Sequence, residues 1–257
     1  MTAEPRIRFS VAEGVARIVF ANPAHYNAMD LPFCQEFARA AIACETDPTV
    51  KAILIAAEGD VFSVGGDIGD FVANKDRIQP HVLDMATQIH IGVSSLRRAA
   101  APVIAAINGM TAGGAFSLIA GADVVIAKRS AKFNPAFTKW GLTPDAGGTY
   151  FFPRVAGFRK AFWIMATNPT LTAEQAAEID LVSQVVDDET FVDEVERVVR
   201  LFADSAPGAL AGLKALFRAS LTNTLDDQLN LEARSIAARS ADPATLERLI
   251  AFVGKKR

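Results

Sequence analysis

Residues 140–150 read WGLTPDAGGTY, and Asp145 is the one charged group in this proline- and glycine-punctuated turn. An aspartate so placed has a bland use, because its side chain can bond to its own backbone and stabilise the turn. It also has a chemical use as an acid or base, if its surroundings tune it. Two glycine-rich segments lie upstream, VFSVGGDI at 61–68 and INGMTAGGAF at 107–116. Glycine lets a backbone approach a ligand closely and aim N–H groups at it. The first turn of a helix adds N–H groups without acceptors and a partial positive charge. Two such donors converging on one oxygen would form an oxyanion hole. Taken singly, each glycine turn serves equally well for close packing between helix and sheet; it is the pair, followed by the acid turn, that points to chemistry.

Other chemistries are absent from the sequence. There is no G-x-G-x-x-G for a dinucleotide, GMTAGGAF lacks the Lys-Ser/Thr ending of a phosphate loop, and no G-x-S-x-G supplies a serine nucleophile. Three histidines (His25, His81, His90) and no His-Glu-x-x-His give no metal site. A formal charge of −3 creates no field that would gather nucleic acid or anionic lipid, so an anionic ligand must be held by local groups. Cys34 and Cys44 sit ten residues apart on one expected helix, too far apart for a disulfide. MTAEPRIRF has no apolar stretch of the signal-peptide kind, and a cytoplasmic protein is the expectation. Residues 99–122 carry no charge and include a G-x-x-x-G at Gly109 and Gly113. Pro102, Asn108 and further glycines interrupt them, so they read as strand, turn and buried helix, not as a membrane span.

The elements that must position these residues follow from the apolar pattern. Strand-length apolar runs stand at 15–20, 50–57, 101–107, 122–127 and 181–186, with helical patterns at 31–46, about 79–100 and about 113–121. Strands joined by helical crossovers imply a mostly parallel sheet covered on both faces, an α/β class. TAEQ at 172–175 has the form of a capping box that starts a helix at Thr172. From about 189 the pattern becomes wholly helical, with Pro207 and Pro243 near helix starts. Two regions are therefore expected: a core at 1–190 and a helical region at 191–257 that packs on the core or on another subunit.

NPAHYNAMD (22–30), FSVGGDI, PVIAAINGMTAGGAFSLIAGADVVIA, WGLTPDAGGTYFFPRVAG and LTAEQAAEIDLVSQVV resemble, in order, the marker segments of the enoyl-CoA hydratase/isomerase (crotonase) superfamily. The resemblance implies a spiral of β-β-α units with a helical C-terminal region, assembled as a trimer or a dimer of trimers. It implies an acyl thioester of coenzyme A as substrate, with no further cofactor. On it, the N–H groups of Gly66 and Gly114 form the oxyanion hole. The coenzyme is held near Ala24, His25 and Ala28 and along Val64, Gly65, Asp67 and Ile68, with a tail contact at Phe252 and Lys255. The chain stops short of the family's usual last segment, which bears on that tail contact.

The departures from the family pattern select the reaction. Hydratases of the family carry two glutamates; their positions hold Ser117 and Phe137 here, and neither can act as a general base at neutral pH. Asp145 is the acid that remains. Isomerases that resemble this chain, including ring-type acyl-CoA isomerases, place an acid there to move a proton between carbons. Dehalogenases place a nucleophilic aspartate there, together with a histidine at the position of His90 and a tryptophan where Phe137 stands. The expectation is therefore an acyl-CoA isomerase acting through Asp145, its pKa raised by Phe62, Phe116, Phe137 and Trp140. A dehalogenase, a hydratase or a non-catalytic thioester binder is the alternative. Asp67 is expected to be a structural acid, and His90 a packing or hydrogen-bonding residue.

Overall fold

The computed structural model describes residues 4–206 and 208–254. Two sheets run side by side, and the chain visits them alternately. β1 (Ile7–Ala12) and β2 (Val15–Phe20) form a hairpin, and α1 (Leu31–Thr46) follows. β3 (Ala52–Ala57) lies in the large sheet and β4 (Val61–Ser63) in the small one; α2 (Ile68–Ala73) and α3 (Ile78–Arg98) then cross over. The step repeats as β5 (Val103–Ile107), β6 (Met110–Ala112) and α4 (Gly114–Ile119), then as β7 (Val124–Lys128), β8 (Lys132–Asn134), α5 (Gly148–Ala156) and α6 (Phe158–Thr167). β9 (Leu171–Thr172), α7 (Ala173–Ala177) and β10 (Gln184–Val186) complete the sheets, which run β1-β2-β3-β5-β7-β10 and β4-β6-β8-β9. The result is a spiral of β-β-α units. All large-sheet pairings are parallel except β1–β2.

The near-continuous apolar strands fill two cores by alternation, since successive side chains leave a strand on opposite faces. Ile53, Ile55, Val103, Ala105, Ile107 and Val125 face one core, with α1 and the glycine turns; Ala52, Leu54, Ile104, Ala106 and Ile126 face the other. That second core is closed by α8 (Phe191–Ala203), through Phe191, Val195, Val198 and Val199. From Phe191 the described chain is helical, and its first helix there covers the sheet. The remaining helices, α9 (Ala209–Ser220), α10 (Leu225–Ser240) and α11 (Pro243–Gly254), have no buried residue. Pro243 opens α11 as expected, while Pro207 lies outside the described residues.

α1 matches its expected span, and Thr172 makes the full capping box with Gln175. β1 was not among the expected strands: its Ile7, Phe9 and Val11 alternate with polar residues instead of forming a continuous apolar run, and Phe9 and Val11 stand exposed on this edge strand. The sequence reading also missed β4, β6, β8 and β9, which have two or three residues each. Cys34 and Cys44 are free and buried. No described helix is long and apolar enough to cross a membrane.

Among the polar ties between the helical region and the spiral, the most enclosed is on α9. Lys214 of α9 places Nζ 2.8 Å from Oδ2 of Asp123 and 3.0 Å from each of the carbonyls of Leu96 and Ala101. Asp123 also accepts the N–H of Val103 at 2.7 Å. Burial pushes the Lys214 amine below its usual range, and Asp123 pulls it back. Lys214 is enclosed while Asp123 is about a third exposed, so removing the carboxylate strands an ammonium that still keeps two carbonyls, at about 1–3 kcal/mol. Asp123→Ala should lose stability on that scale, measured by urea denaturation. Lys214→Met should lose less, because Asp123 keeps the Val103 N–H.

Candidate active site

The first glycine turn is held from beneath by two buried polar residues that the sequence reading did not single out. Asn27 accepts the Asn22 N–H at 2.9 Å and donates from Nδ2 to the carbonyls of Glu58 and Val61, at 3.0 and 2.9 Å. Ser63 donates from Oγ to the Asn27 carbonyl at 2.7 Å and accepts the Gly65 N–H at 3.1 Å. Asn27 has a left-handed φ of 51°, which asparagine tolerates better than most residues, and it is the signal that could have flagged this role.

A parallel bridge between Met29 and Gly66 then decides which donor is left over. The Met29 N–H donates to the Gly65 carbonyl at 2.8 Å, and the Asp67 N–H to the Met29 carbonyl at 3.1 Å. In that pattern the middle residue, Gly66, spends neither of its backbone groups on the bridge. Gly114 has an unspent N–H for a different reason, since it is the first residue of α4. The two turns touch through their backbones: a Cβ on Gly65 would lie 2.7 Å from the Ala112 carbonyl oxygen and 2.9 Å from the Gly114 nitrogen. Gly65 also has φ +82°, so glycine is required there twice over.

Asp145 meets this pair of donors from the third turn. A Cβ on Gly114 would lie 3.6 Å from Oδ1 of Asp145. Ala146 (φ 49°) and Gly147 (φ 83°) follow in left-handed conformations, and the Ala146 N–H donates to Nε2 of His90 at 3.1 Å. Among the described residues no side chain donates to the Asp145 carboxyl. Burial pushes that carboxyl above the usual aspartate range, while His90 and the backbone of Asp145 pull it down. His90 thus fixes the turn through the Ala146 N–H.

Asp145, Gly66 and Gly114 border a cavity of about 310 Å³. Its walls are Ile68 and Phe71 from α2, Val82, Met85, Ala86 and Ile89 from α3, Met29 and Cys34 near α1, and Phe137, Trp140 and Leu142 ahead of the acid. The stretch 69–90, which showed little pattern in the sequence, therefore supplies two helices of the wall. Cys34 is an inert part of it: burial first, and then the charge of Asp145, push its thiol up to about 12. Asp145 is the one carboxylate among the lining residues.

Two expected neighbours are corrected. Phe62 and Phe116 are fully buried away from the cavity, Phe62 against Phe20 (centroids 5.0 Å) and Phe116 against Phe152 (5.0 Å). They sit on small-sheet and α4 faces that turn into the core. Ser117 is also fully buried and lines neither the cavity nor the groove described next; a Cβ on Gly148 would lie 2.2 Å from its Oγ.

A second, more open groove of about 630 Å³ adjoins the cavity. It brings together Ala24, His25, Ala28, Val64, Asp67 and Ile68, with Lys139 and Trp140 on the far side. Gly66, Val64, Ile68 and Trp140 border both spaces, so a ligand lying in the groove can reach into the cavity past Gly66. Asp67 caps α2 by accepting the Asp70 N–H at 3.1 Å, the structural use expected of it. Phe252 is exposed on α11 and borders neither space, and Lys255 lies outside the described residues. No group of metal-binding side chains occurs among the described residues.

Known proteins carry this architecture. The Enoyl-CoA hydratase/isomerase family model matches residues 10–257. The chain is 37% identical over 252 residues to 1,2-epoxyphenylacetyl-CoA isomerase of Escherichia coli (strain K12), covering 96% of this chain and 94% of that protein. It is 32% identical to 4-chlorobenzoyl coenzyme A dehalogenase-2 of an Arthrobacter species, over 95% of this chain and 89% of the relative. The crystal structure of an enoyl-CoA hydratase from Polaromonas sp. JS666 superposes with a TM-score of 0.90 at 28% identity, covering 97% of each chain.

The raised carboxyl has a consequence for stability. When the folded-state pKa exceeds the unfolded value, the folded protein binds more protons in the interval between them, so stability falls as pH rises through it. Asp145→Asn carries no such loss. Its stability relative to the parent should therefore increase from about pH 4 upward and level off above the folded pKa, measured as the difference in Tm across pH.

Proposed function

The chain belongs to the enoyl-CoA hydratase/isomerase family, and on that footing we propose that it is an acyl-CoA isomerase in which Asp145 carries the proton. The observation that carries this reading is a single carboxylate beside two unspent backbone donors, at the edge of an otherwise apolar cavity. The coenzyme lies in the open groove along Ala24, His25, Ala28 and Val64, and the acyl group enters the cavity. The thioester oxygen takes the N–H groups of Gly66 and Gly114. Asp145 removes a proton from the carbon next to the thioester carbonyl, leaving an enolate whose charge the two donors hold. In a 3-enoyl thioester that enolate is a dienolate, and the same carboxyl returns the proton two carbons further along. The product is the 2-enoyl thioester, with no water consumed.

Several features favour this over the alternatives. Water addition calls for a second acid–base group, and Phe137 and the enclosed Ser117 offer none. Phe137 lines the cavity as an apolar wall instead. A hydrolytic dehalogenase would need a base to deliver water; the Nε2 of His90 is engaged by the Ala146 N–H, and His90 does not border the cavity. A carboxyl raised by burial is the stronger base that proton abstraction from carbon requires. Ring-type acyl groups fall within the same chemistry, because the enolate forms at the same carbon.

The reading extends to assembly. Leu213, Phe217, Leu225, Leu229, Ile236 and Ile250 on α9–α11 are exposed, an extent of apolar surface that a lone chain rarely leaves in water. A trimer of this chain, or a dimer of trimers, covers it, and sedimentation should give three or six times the chain mass.

Incubation with 3-enoyl-CoA, 2-enoyl-CoA in water and 4-chlorobenzoyl-CoA separates the reactions. The expected outcome is conversion of 3-enoyl to 2-enoyl thioester, reduced by about 10²–10⁴ in Asp145→Asn. His90→Gln, which can still accept the Ala146 N–H, should stay within several-fold of the parent. Halide release, or hydration without isomerisation, would replace this reading.

A further inference from the structure

A buried pair outside the reacting groups ties the two helices of the cavity wall together. Asp70 on α2 and His81 on α3 place Oδ2 and Nε2 2.7 Å apart. The His81 side chain is only 9% exposed. The other oxygen of Asp70 accepts from Nδ2 of Asn74 at 3.1 Å, and the Asp70 N–H is spent on the Asp67 cap. Asp70 is thus fixed on three sides, within a helix of six residues that buries none of its own side chains.

α2 is too short to hold its place by itself, because a six-residue helix forms few internal bonds against the cost of its nucleus. Yet its position matters to the site in two ways. It follows directly on Gly66, and the Phe71 ring stands behind that glycine, with Cζ 3.3 Å from where a Cβ would sit. Ile68 and Phe71 also face Val82, Met85 and Ile89 of α3 across the cavity lining. Anything that fixes α2 on α3 therefore sets both the depth of the cavity and the support of one oxyanion donor.

We propose that the Asp70–His81 pair is a positioning device that sets acyl-chain selectivity, by latching α2 onto α3 over the cavity. This rests on the assignment of the cavity to the acyl group. His81 and Asp70 are positioning residues and touch no reacting atom. With the latch intact the wall is closed against α3, and acyl groups that overfill the cavity are resisted. With it released, α2 swings on the Gly66 and Asn74 ends, longer acyl groups gain room, and the Gly66 N–H loses its backing.

Two readouts test this on the full-length protein. Amide hydrogen exchange needs no ligand: in His81→Leu, exchange over residues 66–74 should accelerate by about ten-fold or more while the sheet stays protected. Calorimetric binding of butanoyl-, octanoyl- and dodecanoyl-CoA should show the ratio of Kd values shifting by about ten-fold toward the longer chains, with free coenzyme A bound as in the parent. His81→Gln, whose amide can still donate to Asp70, should restore both. If His81→Leu does not fold, Asp70→Ala, which leaves no acceptor for His81, carries the same expectation. Exchange and Kd ratios within about two-fold of the parent would overturn the latch. Accelerated exchange in His81→Leu together with a parent protein that binds no acyl-CoA would overturn the assignment of function alone.

Discussion

The site depends on one backbone arrangement: the parallel bridge of Met29 with Gly66, pressed against the start of α4. A parallel bridge spends the flanking groups and leaves the middle residue's N–H free, which is how Gly66 keeps a donor in a crowded interior. Gly114 keeps its donor because it begins a helix. Their closeness is possible only because Gly65 carries no side chain where Ala112 and Gly114 pass. Neither donor has to be released from a partner when a ligand arrives; in the proposed reading they are preorganised for a thioester oxygen, and losing such a donor would cost about 3 kcal/mol of transition-state stabilisation.

The rest of the molecule keeps that arrangement in place. Asn27 and Ser63 hold the first turn from inside, and the spiral brings the second and third turns to it by repeating strand, short strand and helix. His90 holds the third turn by its backbone, and among the described residues no side chain donates to the acid. The result is a carboxyl whose ionised form is penalised by burial next to donors that favour an anionic oxygen. In the proposed reading, those opposed tendencies suit a base that must give its proton back.

The inner strands of the large sheet, β2, β3, β5 and β7, were readable because each is a run of apolar residues that fills the cores, and α1 because its apolar period is clear. The small sheet was not, since its strands of two or three residues carry no period. That the two glycine turns and a lone acid belong together was legible in the sequence, but the walls around them were less so. Phe62 and Phe116 looked like neighbours of Asp145 in a list of aromatics, yet strand and helix faces turn them inward. The Asp70–His81 tie joins residues eleven apart on two helices, a pairing that only the turn between them creates. Asn27 could have been suspected only from its fondness for left-handed backbone.

The most direct test is a crystal structure with a bound, unreactive acyl-CoA analogue. The account predicts the thioester oxygen about 2.7–3.1 Å from the nitrogens of both Gly66 and Gly114. It also predicts a carboxylate oxygen of Asp145 facing the carbon beside the carbonyl and the carbon two positions further along. A thioester oxygen bound elsewhere, or an Asp145 side chain turned to solvent with the acyl chain out of its reach, would contradict it.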